Sequence, residues 1–388
     1  MSPAPRLTRG PTAAASPRGR GRAIVRAMTN LRSDNNAGLL PEAAAGLLAA
    51  AAGDAVSYGD DRFTARAVAA LQGLFGPETA VFFVATGTAA NTLAVASLTE
   101  PWQRVLCHSD SHWYDDESTA PERITLCRTT PVTPRADPTR LAPEDLGPWL
   151  VGDRGVQQPA PGVLTISNPT EFGTVYAPAQ LAALTAHAHA HGYRVHVDGA
   201  RFANAVAHVL ATTALDPVAA CRALSVDAGI DALSLGGTKA GLAVGEAILL
   251  FPQVSAAAAH AATRLPFLRK STGHLLSKHR FVSGPFAHVL ADHAWLRHAA
   301  HANAMAERLA AGLRARGLAP AFPREANAVF VDLPPALDHR LRARGHAYYP
   351  FASPVGRLAR LMCGFATAPA ELDAFLADVD APVPSDIS

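Results

Sequence analysis

The chain has 388 residues, 49% of them hydrophobic, which is enough for one large core and a smaller second one. Its formal charge of +2 is uneven: residues 1–27 hold six arginines and no acid, so the rest carries −4 and is poorly suited to nucleic acid. The four cysteines (Cys107, Cys127, Cys221, Cys363) form no CxxC pair and read as reduced thiols of a cytoplasmic protein, and no uninterrupted apolar run is long enough for a helical membrane span.

Residues 1–28 form an Arg/Pro-rich leader without the apolar stretch of a secretory signal, so it is expected to be disordered and structure is expected to begin near Thr29. A helix is predicted over 41–52, with Gly53 as its stop. The loop Val56–Asp61 is rich in functional groups, and apolar residues at 63, 67, 68, 71, 74 and 75 then give a second helix. Residues 80–84 read as a buried strand that ends in Thr86-Gly87-Thr88-Ala89-Ala90-Asn91 and passes into a helix over 89–98. Such a turn offers free N–H groups, hydroxyls and a helix dipole to an anion, although an ordinary strand-to-helix turn has the same outline.

Strands are expected at 104–108 and 124–127, separated by the polar and aromatic loop Ser109–Glu117. Residues 130–160 are Pro-rich and read as a surface excursion. A strand at 163–167 leads into Asn168-Pro169-Thr170-Glu171, and a helix over 178–191 is closed by Gly192. His187, His189 and His191 alternate and are expected at the surface, sharing no helix face. Strands at 194–197, 232–235 and 247–251 complete an α/β domain with a parallel sheet. From about residue 260 the pattern changes to long helices over 285–316, short strands at 328–333 and 358–363, and a helix at 369–380. The expected division is a leader 1–28, a large domain 29–262 and a small domain 263–388.

The chemistry centres on Asp231-Ala-Leu-Ser-Leu-Gly-Gly-Thr-Lys239. A strand ending in two glycines can aim one side chain into a crevice, and the glycines would let a flat ligand approach the backbone. Lysine is costly there unless its amine joins a carbonyl cofactor as a Schiff base. Alone it would pass for a loop lysine. However, Asp198 ends an apolar strand about 40 residues earlier, and a carboxylate paired with such a lysine suits pyridoxal 5'-phosphate, whose aldehyde takes the amine and whose ring nitrogen takes the acid.

Six motifs then stand in one order: Leu31-Arg-Ser-Asp34, Tyr58-Gly-Asp-Asp61, Thr86–Asn91, His196-Val-Asp-Gly-Ala-Arg201, the turn of Lys239, and Arg360-Leu361. Together they span 31–365 and resemble the threonine aldolase group of the β-eliminating lyase family, most closely the low-specificity L-threonine aldolases. The resemblance implies PLP fold type I, a mostly parallel seven-stranded sheet sandwiched by helices with a smaller C-terminal α/β domain. It implies that Lys239 holds the cofactor, that Asp198 faces the ring nitrogen, and that Gly87 and Thr88 bind the phosphate. His112 would stack on the ring and is one candidate, beside water, for the base that takes the substrate hydroxyl proton. Arg201, beside the ring, and Ser33 would help bind the substrate carboxylate, and Arg360 would grip it as a fork. Tyr58 would be offered across a subunit boundary in a homodimer or homotetramer. A second phosphate-side cation is expected among Arg269, Lys270 and Lys278. No metal is called for.

The activity implied is reversible cleavage of a β-hydroxy-α-amino acid, such as L-threonine, L-allo-threonine or a phenylserine, to glycine and an aldehyde. The alternative is another PLP lyase or a transaldolase acting on β-substituted amino acids. One departure stands out: where some members carry a histidine near the substrate hydroxyl, this chain has Asn168-Pro169-Thr170-Glu171.

Overall fold

Runs such as Ala80-Val-Phe-Phe-Val84 and Glu246-Ala-Ile-Leu-Leu250 lack an outward polar face, so they need cover on both sides. The computed structural model describes residues 29–150 and 155–381, and the leader 1–28 lies outside the described residues. Two helices come first, α1 (Pro41–Ala51) and α2 (Arg62–Phe75). Then follow β1 (Ala80–Val84), α3 (Gly87–Leu98), β2 (Gln103–His108), the short α4 (His112–Asp115) and α5 (Ala120–Thr125), β3 (Arg128–Val132) and α6 (Pro143–Leu146). The large sheet is completed through β4 (Ala160–Ser167), α7 (Pro178–Ala190), β5 (Arg194–Gly199), α8 (Phe202–Thr212), α9 (Pro217–Ala223), β6 (Ala232–Gly236) and β7 (Glu246–Leu250). The rest is α10 (Ala256–Ser271), α11 (Arg280–Leu290), α12 (Ala294–Arg314), β8 (Ala328–Val331), α13 (Pro335–Ala343), β9 (Tyr349–Ser353), β10 (Gly356–Met362) and α14 (Pro369–Asp380).

The seven strands are ordered β1-β7-β6-β5-β4-β2-β3. Only β7 runs antiparallel to its neighbours. Buried Leu93, Ala94 and Leu98 of α3 cover one face, and a larger apolar cluster covers the other. In that cluster Phe75 packs at 5.9 Å from Phe202 and 6.1 Å from Phe251, ring to ring. A second, antiparallel sheet, β8-β10-β9, forms the smaller C-terminal part.

Local chemistry explains the helix starts. Asp61 caps α2 by accepting from Phe63 and Thr64 N–H, both at 2.9 Å. Thr86 caps α3 through its hydroxyl, which accepts from Ala89 N at 3.2 Å. Glu325, just ahead of β8, accepts from Val175 N at 2.6 Å and pairs with Arg140 of the Pro-rich excursion, so it ties the small sheet to the loop after β4.

Several expectations change. Residues 124–127 are not a strand: α5 ends there and β3 starts at Arg128, because Pro121 suits the first turn of a helix and Leu126, at a φ of 59°, closes it. The excursion 130–160 begins inside β3 and contains α6. The boundary at 262/263 cuts α10, whose buried Ala258, Ala261 and Leu265 pack on the large sheet's side. Residues 29–31 in turn bond to the small part, with Leu31 N donating to Ala347 O and Met362 N to Leu31 O. His187 and His191 are one turn apart and do share a face, their rings 4.8 Å from each other. His189 points inward, its Nε2 lying 2.8 Å from Asp231 Oδ2, because that carboxylate is fully buried and needs partners.

Candidate active site

The C-terminal ends of β5 and β6 and the start of β7 meet the start of α3 around an open cleft of about 430 Å³. Five of the expected residues line it: Gly87, Thr88, His112, Asp198 and Lys239. Strand pairing causes this convergence. Asp198 sits opposite Ser234 on neighbouring parallel strands, and the turn beyond β6 brings Lys239 back over them. The two glycines before Lys239 are needed for reasons other than ligand approach. A side chain at Gly236 would collide with Ala200 O, and one at Gly237 with Gly245 O and the Phe286 ring.

Asp198 is built to stay ionised. Its Oδ1 accepts from Ala200 N at 2.9 Å and its Oδ2 from Asn91 Nδ2, also at 2.9 Å. Burial pushes its carboxyl up, but His112, Lys239 and the Ala200 N–H outweigh burial and hold it below the usual range. Asn91 Nδ2 also donates to Glu117 Oε1 at 3.0 Å. Glu117 Oε1 in turn lies 3.1 Å from His112 Nδ1, close though poorly aligned for a hydrogen bond. The Glu117 contact raises the imidazole to about 9 despite partial burial. His112 is therefore mainly a cation at neutral pH in the ligand-free protein.

A second group lies alongside. Arg201 is held by Asp34 as a fork, Nε to Oδ2 at 2.7 Å and Nη2 to Oδ1 at 2.9 Å, and Asn327 Nδ2 adds a bond to Oδ2 at 3.2 Å. Ser33 caps the turn that carries Asp34, its Oγ accepting from Asn35 N at 3.2 Å. Arg360, on β10, faces the Arg201 charge. Its Nε is buried and has no hydrogen-bond partner among the described residues. Burial first, and then Arg201, lower its pKa. Of the two guanidiniums, Asp34 engages Arg201 alone, while Glu171, Asp34 and Asp116 act on Arg360 only through their charge, so the Arg360 Nε is left as a donor for an anion.

Tyr58 is not brought to this cleft. It is 49% exposed, at a φ of 63°, with Lys270 Nζ 5.0 Å from its ring centre. Among the three cations left open, Lys270 is engaged there and Lys278 is exposed. Arg269 instead reaches the end of β1, where its Nη1 donates to Phe83 O at 3.3 Å. Sequence reasoning gave no role to Asp34, Asn91, Glu117 or Glu246, although each stood inside or beside a quoted motif. Asn91 and Glu246 were signalled as polar residues among small or apolar neighbours, whereas Asp34 and Glu117 stand in polar stretches that single out no one residue.

The comparisons with known proteins agree with this geometry. The family model described as beta-eliminating lyase matches residues 30–335. A low specificity L-threonine aldolase from a Pseudomonas species is 40% identical over 90% of this chain and 96% of its own length. The Pseudomonas aeruginosa protein of the same name is 40% identical over 86% of this chain and 92% of its own. Among solved structures, a threonine aldolase from Leishmania major superposes with a TM-score of 0.80 at 26% identity, covering 90% of this chain and 98% of that one. With the fold, the cleft and these likenesses pointing one way, the chain belongs to the beta-eliminating lyase family.

Proposed function

We propose that this protein is a pyridoxal phosphate-dependent aldehyde-lyase that cleaves L-threonine and related β-hydroxy-α-amino acids to glycine and an aldehyde. The observation that carries this reading is the meeting of Lys239 and an ionised Asp198 in one cleft, with Arg201 and Arg360 beside it. The residues present fit the cofactor. They supply a lysine amine, a carboxylate that three neighbours keep charged, and a capped helix start whose first N–H groups at Gly87 and Thr88 are available to a phosphate.

When bound, pyridoxal 5'-phosphate supplies the aldehyde that takes an amine and the ring that accepts the electrons of the breaking Cα–Cβ bond. The protein does the rest. Lys239 offers its amine, and Asp198 keeps a proton on the ring nitrogen. Arg360 and Arg201, the latter held in place by Asp34 and aided by Ser33, grip the substrate carboxylate and so fix which bond at Cα is cleaved. His112 exchanges a proton with the substrate hydroxyl. Because Glu117 holds its pKa near 9, His112 is a base only in the fraction that has lost its proton, and that fraction grows with pH. Arg269, at the end of β1, supports the phosphate side.

The same reading makes the enzyme a cytoplasmic homodimer or homotetramer in which the exposed Tyr58 serves a neighbouring subunit's site. The test is a panel of L-threonine, L-allo-threonine, phenylserine and their D-forms with glycine and aldehyde detection. Glycine with acetaldehyde from L-threonine supports an aldolase. Release of a keto acid and ammonia instead would move the protein to elimination chemistry.

A further inference from the structure

Glu246 opens β7 on the wall of the cleft, and the chemistry above gives it no task. It is 7% exposed. In the sheet it stands between Val84 of β1 and Gly236 of β6. Those residues lead into the anion turn Thr86–Thr88 and the lysine turn Gly237–Lys239. Its Oε2 accepts from Gly237 N at 2.5 Å, and Thr238 presents both its hydroxyl and its N–H. The side chain therefore holds the lysine turn, from a sheet position whose backbone is paired with the strand that leads into the anion turn.

Its electrostatic setting is lopsided. The Lys239 charge pulls on it in the opposite direction to burial. Asp198 shares the cleft but is engaged by Asn91 and Ala200. Arg269 and His274, which approach the end of β1 from α10 and its C-terminal flank, bond to backbone atoms of Phe83 and Ala85. His279 of the segment before α11 lies against the Phe83 ring. Burial pushes the Glu246 carboxyl up to about 7, even against the pull of Thr238, the Gly237 N–H and Lys239. The phosphate of a cofactor held at the adjoining turn would add negative charge, which favours a neutral carboxyl.

We propose that Glu246 is a positioning residue that clamps the lysine turn to the start of β7, and that it takes a proton from solvent onto a carboxyl oxygen as the cofactor binds. The idea rests on the reading of Lys239 given above. It is tested on cofactor-stripped enzyme titrated with pyridoxal 5'-phosphate, by calorimetry at pH 8 in two buffers of different ionisation enthalpy. Wild type is expected to take up between half and one proton more than Glu246→Gln, which keeps an acceptor for Gly237 N–H but cannot titrate. Its Kd should accordingly rise with pH more steeply than the variant's above pH 7, by up to about tenfold per unit. Glu246→Ala should bind the cofactor at least tenfold more weakly while keeping the far-UV spectrum of the stripped enzyme. Equal proton counts in wild type and Gln variant would overturn the protonation, and wild-type affinity in the Ala variant would overturn the clamp. If wild type itself binds no cofactor, the reading of Lys239 falls, and this inference with it.

Discussion

Replacing Asp34 by asparagine tests how Arg201 is held. The Asp34 carboxylate is 2% exposed and accepts both arms of the Arg201 fork together with Asn327. Asparagine keeps one acceptor oxygen and turns an NH₂ group toward a guanidinium. Removing one partner from a buried ion pair costs roughly 3–5 kcal/mol, and one surviving bond brings this to about 2–4 kcal/mol. For a chain of this length the unfolding entropy converts that to a fall of about 3–5 °C in apparent Tm. Arg201 then loses the partner that fixes its orientation beside Arg360, and the KM for L-threonine should rise about tenfold or more. Asp34 is held below the ordinary carboxylate range: burial pushes it up, but Arg201 prevails. A depressed pKa stabilises above the unfolded value, and that benefit is lost only as pH falls through the folded one. The gap in Tm between wild type and variant should thus stay constant from pH 6 to pH 8. Thermal scanning and glycine release measure both effects. An unchanged Tm and KM, with cofactor still bound, would refute the reasoning.

Lys239→Ala should abolish turnover and the visible absorbance of lysine-bound cofactor, and normal turnover in that variant would end the assignment. Arg360→Lys should raise KM by about tenfold or more with the cofactor spectrum intact, since an ammonium cannot reproduce a planar fork; unchanged kinetics would take Arg360 out of the site. Glu117→Gln removes the contact that holds His112 near 9, so the acid limb of the kcat/KM profile should move down toward the ordinary histidine value of about 6.5. A limb that stays in place would give the hydroxyl proton to water instead of His112.

The central strands of the sheet were legible because their runs are mostly apolar and end in chemistry, whereas β3, Arg-Thr-Thr-Pro-Val, has no such run. Asp198 and Lys239 could be placed from that alone, and the structure puts both in one cleft. The segments misread were those in which tertiary partners decide. At residues 124–127 a short run fits strand or helix end equally, and in the fold it holds the last residues of α5 and the turn after it. His189 looked superficial until the fold supplied Asp231, which is 42 residues away in sequence. Arg201 was visible as a cation, but its clamp comes from Asp34, 167 positions distant, and no local pattern encodes such a pairing. Asn91 likewise stood in a quoted motif, yet its bridge between Asp198 and Glu117 exists only once three elements are assembled.

Glu325 gives the molecule a mechanical property of its own. One carboxylate takes hold of Val175, on the loop that follows β4, and of Arg140, while its own segment feeds the strand next to the one that bears Arg360. Any rocking of the C-terminal sheet must therefore drag the 168–176 loop along with it. The strand pair that bears Arg360 and the 168–176 loop are thereby tied at one carboxylate, and a change that cuts this tether would let them drift out of step.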